Sequence, residues 1–159
     1  MLAKLVNILR YALGGGGLYL ALTQLNSDLP KATALASLTA VGIVGTMSFI
    51  SHVLLHKQDA KQIGFKTDSI SFQFEVGFAN LAFGVVAIIS YFAHWGLQAN
   101  TVLLLSYALY LFQAAILHAY TARADKKNRQ PNLIRAGLTF LFSGTMLYIV
   151  LQVMNSGQF

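Results

Sequence analysis

His52, Glu75 and His118 are the side chains best suited to proton or metal chemistry in this 159-residue chain, and each sits in or beside strongly apolar sequence. Glu75 is the one acidic residue inside any apolar stretch. A carboxylate there normally faces a bundle interior or a wet cavity and finds a partner. His52, His118 and Arg135 fall at a similar depth, about one turn below one membrane surface. Imidazole titrates near neutral pH, and carboxylate with imidazole makes an iron or zinc shell. The functional reading is therefore a proton or metal cluster of His52, Glu75, His118 and Arg135. A b-type haem held by His52 and His118 is a further arrangement. The structural reading is an interfacial polar layer, in which Glu75 pairs with Arg135 and each histidine bonds a backbone carbonyl. No H-E-x-x-H ligand spacing is present, so both readings stand, and no cofactor is the default expectation.

Around Glu75 the residues are small or polar at helical spacing. At about 100° per residue, Gln73, Gly77, Asn80 and Gly84 share one face, with Glu75, Ala79 and Ala82 nearly opposite. Glycines on such a face let a neighbouring helix approach closely, and Asn80 can bond across the contact. With both faces unsuited to lipid, this helix is expected at the centre of the bundle. His52 shares a face with Gly45, Ser48 and His56, and His118 with Tyr107, Leu111 and Ala114.

The elements that must position these residues are long apolar helices. The chain is 56% apolar and only 10% charged, with a mean hydropathy of +0.60; an ordinary soluble domain carries about 25% charge. Five stretches, residues 5–25, 32–55, 72–95, 101–120 and 133–154, are long enough to cross about 30 Å of hydrocarbon. The expected fold is an all-α membrane helix bundle of five transmembrane helices forming a single domain over residues 1–159. The alternative is four spans plus an interfacial helix, because Lys4 and Arg10 interrupt the first stretch and Gly14 to Gly17 lie in its middle. Those glycines suggest a kink or a close helix crossing; no Lys-Ser/Thr follows them, as a phosphate loop requires.

Charge placement orients the bundle. Lys4 and Arg10 precede or open the first stretch. Lys57, Lys61 and Lys66 follow the second, and Arg123, Lys126, Lys127, Arg129 and Arg135 lie between or beside the fourth and fifth. The other side has only Lys31. The positive-inside rule then puts the N-terminus and both basic loops in the cytoplasm and the C-terminus outside. The net charge of +6 is matched to an anionic lipid leaflet rather than to nucleic acid, because the charges sit in short loops. The basic start also has the outline of a signal peptide, but no small-x-small site precedes Asn26, so no cleavage is expected. Zero cysteines exclude disulfides and thiolate sites. Tyr11, Tyr91, Trp95 and Tyr120 lie at span ends as interface anchors.

The run Phe72 to Gly84, F-Q-F-E-V-G-F-A-N-L-A-F-G, carries the pattern Q-x-E-x-G-x-x-N-x-x-x-G. It resembles the shared helix of a family of small multi-span prokaryotic membrane proteins catalogued as a domain of unknown function. The resemblance makes Gln73, Glu75, Gly77, Asn80, Gly84 and His118 signature positions, implies a prokaryotic cytoplasmic (inner) membrane, and supplies no activity. With much packing signal and no catalytic signature, the expected role is an accessory or scaffolding membrane subunit, in a homo-oligomer or larger membrane complex within the lipid bilayer. The alternative is proton or ion transport, or metal or haem redox chemistry, at the Glu/His cluster.

Overall fold

The computed structural model describes residues 2–63, 70–124, 126 and 128–158, and every regular element among them is helical. Lys66 and Lys127, counted above among the basic loop charges, lie outside the described residues. Five helices are long and apolar enough to cross a membrane: α1 (Leu2–Gln24), α2 (Leu29–Leu54), α4 (Ile70–Phe92), α5 (Gly96–Ala124) and α6 (Arg129–Asn155). A short helix, α3 (His56–Ile63), follows α2. Large apolar side chains point outward on all five long helices, among them Leu13, Leu54, Phe78, Ile116 and Leu141. So extensive an exposed apolar surface is that of a protein whose solvent is lipid.

Helix α1 runs without a break through its four glycines. Gly14 and Gly17 are buried: a methyl on Gly14 would strike Val44 and Phe142, and one on Gly17 would strike Thr39. Gly15 and Gly16 have nothing within 4 Å of such a methyl. The run is therefore a close crossing and not a kink, and the first segment is long enough to span in full. Between α1 and α2, Asp28 caps α2 by accepting from the Lys31 N–H at 3.0 Å, with Pro30 in the first turn.

The centre of the bundle is α2, not α4. Half of the α2 span (50%) is buried, against 22% of α4, and α2 touches α1, α4, α5 and α6. Its composition explains this. Ala32, Ala36, Ser37, Ala40, Gly42, Gly45, Ser48 and Ser51 keep it slender, so neighbours approach on every side. Hydroxyls cost little there: Thr39 and Thr46 each donate to the carbonyl four residues back, at 2.8 Å. Two stretches, Ser37–Ile43 and Ile50–Leu54, are π-helical, which re-phases the faces along the span. The expectation for α4 fails because only one of its two small or polar faces turns inward.

Residues 93–95 join α4 to α5, with positive φ at His94 (54°) and at Gly96 (90°). Ser90 donates to Asn100 Oδ1 across this corner at 3.2 Å. Helices α5 and α6 pair extensively with each other, whereas α4 spends its buried face on α2. The apolar core gathers Leu18, Val41, Val44, Ala87, Leu104, Tyr107, Met146 and Ile149 from all five long helices.

Candidate functional site

Two polar assemblies lie inside the bundle. The first is neutral and sits where α2, α4 and α5 meet. A Cβ added at Gly45 would lie 2.6 Å from the Asn80 carbonyl oxygen, and one at Gly84 would lie 2.8 Å from the Thr46 nitrogen and 3.0 Å from the Gly42 oxygen. The two backbones are thus in direct contact, with Gly77 against Val53 about two turns along α2. Asn80 is satisfied through α5 and its own helix: Tyr107 donates to its Oδ1 at 2.7 Å, and its Nδ2 donates to Tyr110 Oη at 2.9 Å and to the Val76 carbonyl at 2.7 Å. The two tyrosine rings stack at 5.8 Å. Gly77, Asn80 and Gly84 are packing residues here, and the asparagine bond reaches α5 rather than the helix that the glycines touch.

The second assembly is charged and lies at the end where α2 gives way to α3. Asp59 on α3 is 2% exposed, and its Oδ2 lies 2.8 Å from His52 Nδ1. Burial pushes the Asp59 carboxyl up, but the His52 hydrogen bond and the charges of His52, Arg10 and Arg135 outweigh it, leaving the group below its ordinary value. An ionised carboxylate only accepts, so the proton in this contact resides on His52 Nδ1. Gln73 Nε2 donates both to Asp59 Oδ2 and to the His56 carbonyl, each at 3.3 Å. Lys57 and Lys61 on the opposite side of α3 are exposed. Helix α1 closes the assembly: Ala3 N–H donates to Gln58 Oε1 at 3.3 Å, Ser51 donates to Asn7 Oδ1 at 3.4 Å, and Arg10 donates to Ser48 Oγ at 3.1 Å.

Of the residues singled out from the sequence, His52 belongs to this assembly. Arg135 and His118 are half-buried within its electrostatic reach. Glu75 does not belong: it is exposed, and it has no hydrogen-bond or ion-pair partner among the described residues. The carboxylate that meets His52 is Asp59 instead. Sequence reasoning missed it by taking residues 56–71 as loop. The available signal was the single acidic residue of the octet H-K-Q-D-A-K-Q-I, Asp59, set between Lys57 and Lys61. Gln73, grouped with the packing residues by its face, is a hydrogen-bond donor to this carboxylate. Among the described residues no three His, Asp or Glu side chains come together to hold a metal ion.

Fold and surface define an all-α membrane helix bundle with a neutral packing centre and one charged end. The chain belongs to the family described as "Family of unknown function (DUF6790)", whose model matches residues 11–157. No curated protein and no solved structure matches it.

Proposed function

We propose that this is a multi-pass protein of a prokaryotic inner membrane, with the N-terminus and basic connections cytoplasmic and the C-terminus outside, acting as an accessory or scaffolding subunit. The uneven distribution of Lys and Arg supports the orientation. One observation carries the role: Glu75, five residues or about 7.5 Å along α4 from Ile70, faces outward between exposed Phe72 and Phe78 without a partner among the described residues. Intramembrane carboxylates almost always face protein or water, so a second polypeptide supplies what this face lacks. The partner's chemistry is a membrane helix offering a cation or hydrogen-bond donor at that depth; a second copy of this chain is one such helix.

Solubilised gently from native membranes, the wild-type chain should migrate in a complex well above its own 17.3 kDa, and Glu75→Leu should release it. A monodisperse wild-type monomer under those conditions refutes the role. A reporter fused behind the last residue tests the orientation separately, and a cytoplasmic readout contradicts it.

A second reading, proton handling at the charged end, is favoured by the 2.8 Å His52–Asp59 contact. It requires proton flux in liposomes that Asp59→Asn abolishes, and flux-free wild-type liposomes exclude it.

A further inference from the structure

Arg10 borders a crevice of about 50 Å³ enclosed by α1, α2, α5 and α6, with Tyr11, Ser48 and Thr139 among its walls. Such a space holds a water or two, or one small polar group, by comparison with about 30 Å³ per water. Tyr11 at the rim is 38% exposed, so the crevice communicates with the outside of the bundle. Arg10 lies eight residues, about 12 Å, along α1 from Leu2, among lipid-facing leucines. Among the described residues its guanidinium contacts are neutral: Ser48 Oγ at 3.1 Å, Tyr11 Oη at 3.4 Å and the Tyr11 ring at 5.0 Å. No described carboxylate pairs with it, and Asp59 is committed to His52 and Gln73. Asp59 acts on it only through its field, and a cation at this depth is costly without a directly paired counter-charge.

Thr139 supplies an independent observation. Every other described threonine donates to a backbone carbonyl three or four residues back. Thr139, facing the crevice, has no such bond among the described residues. A guanidinium fork and a hydroxyl-bearing side chain on one small crevice, otherwise walled by Val44, Leu111 and Phe142, match the non-bridging oxygens of a phosphate group.

We propose that the Arg10–Thr139 crevice binds a phosphate group. The same chemistry is offered by a phospholipid headgroup and by free inorganic phosphate, and the experiment separates them. Purified full-length protein in a neutral detergent is titrated with sodium phosphate, and separately with phosphatidylglycerol, while its melting temperature and one-to-one binding by native mass spectrometry are followed. A saturable shift with phosphatidylglycerol alone assigns a lipid; a shift with inorganic phosphate assigns the free anion. In either case Arg10→Gln should lose binding at least tenfold, Thr139→Val should weaken it several-fold while leaving the guanidinium in place, and Arg123→Gln, at an exposed position in the last turn of α5, should behave as wild type. A wild-type protein that responds to neither, or Arg10→Gln and Thr139→Val proteins that respond as wild type does, overturns the proposal.

Discussion

The crossing of α2 with α4 and the charged end beside α3 are about two helical turns apart along the same pair of helices, yet they are built on opposite principles. At the crossing, backbones touch through Gly42, Gly45 and Gly84, Thr46 bonds within its own helix, and Asn80 has its carbonyl and amide bonded to Tyr107, Tyr110 and Val76. No carboxylate or imidazole takes part in those bonds. At the charged end, long side chains from α1, α2, α3 and α4 converge on Asp59, and a crevice opens beside Arg10. Steric closeness specifies the first region and charge compensation the second. A substitution should therefore be severe at the crossing when it adds volume, and at the charged end when it removes a charge.

The largest expected effect is at the crossing. Gly45→Ala places a methyl against the Asn80 carbonyl oxygen, which is backbone and cannot swing aside, so a loss of about 1–3 kcal/mol is expected in detergent unfolding followed by circular dichroism. The internal contrast is Gly15→Ala, where nothing lies within 4 Å; it should be neutral or gain up to about 1 kcal/mol from helix propensity. Equal losses at both glycines would break the comparison.

Next comes Asp59→Ala, which strips His52 and Gln73 of their acceptor and should cost about 2 kcal/mol, as charged hydrogen bonds do. It should also release α3, read as faster hydrogen exchange over residues 56–61. The sign of its pH dependence follows from the depressed carboxyl. Because the folded group titrates below its ordinary value of 3.8, its contribution is fully present above that value and is lost as pH falls through the lower folded value. Exchange in α3 should therefore hold steady from neutral pH down to about 4 and rise below it, and Asp59→Asn should erase that step.

The smallest effect separates bond from bulk at the crossing. Tyr107→Phe keeps the ring in the core but removes the donor to Asn80 Oδ1, for about 1 kcal/mol in a membrane interior. A cost matching Gly45→Ala would mean that hydrogen bonding, and not closeness, specifies the crossing.

The five helices were legible in the sequence because lipid demands long apolar runs, and the small-residue face of α4 because 3.6-residue periodicity holds along an undistorted helix. Three features were not. The central place of α2 depends on slenderness relative to its neighbours, a comparison across helices, and its π-helical stretches shift the faces that a fixed period assigns. Asp59 reaches His52 only because α3 folds back beneath α2, and an eight-residue polar helix carries little hydropathy signal. Glu75 looked inward on the premise that a membrane carboxylate must be satisfied within its own chain. Its helix instead turns Gly77, Asn80 and Gly84 inward, and these leave Glu75 on the far side.

The direction of Glu75 is thus the point on which the account turns, and a photo-activatable crosslinking residue placed at position 75 in native membranes reads it directly. A crosslink to a second polypeptide, whether another copy or a different membrane protein, is the predicted result. Adducts confined to the chain's own α2 or α5, near His52 or His118, would contradict the account and restore the inward cluster.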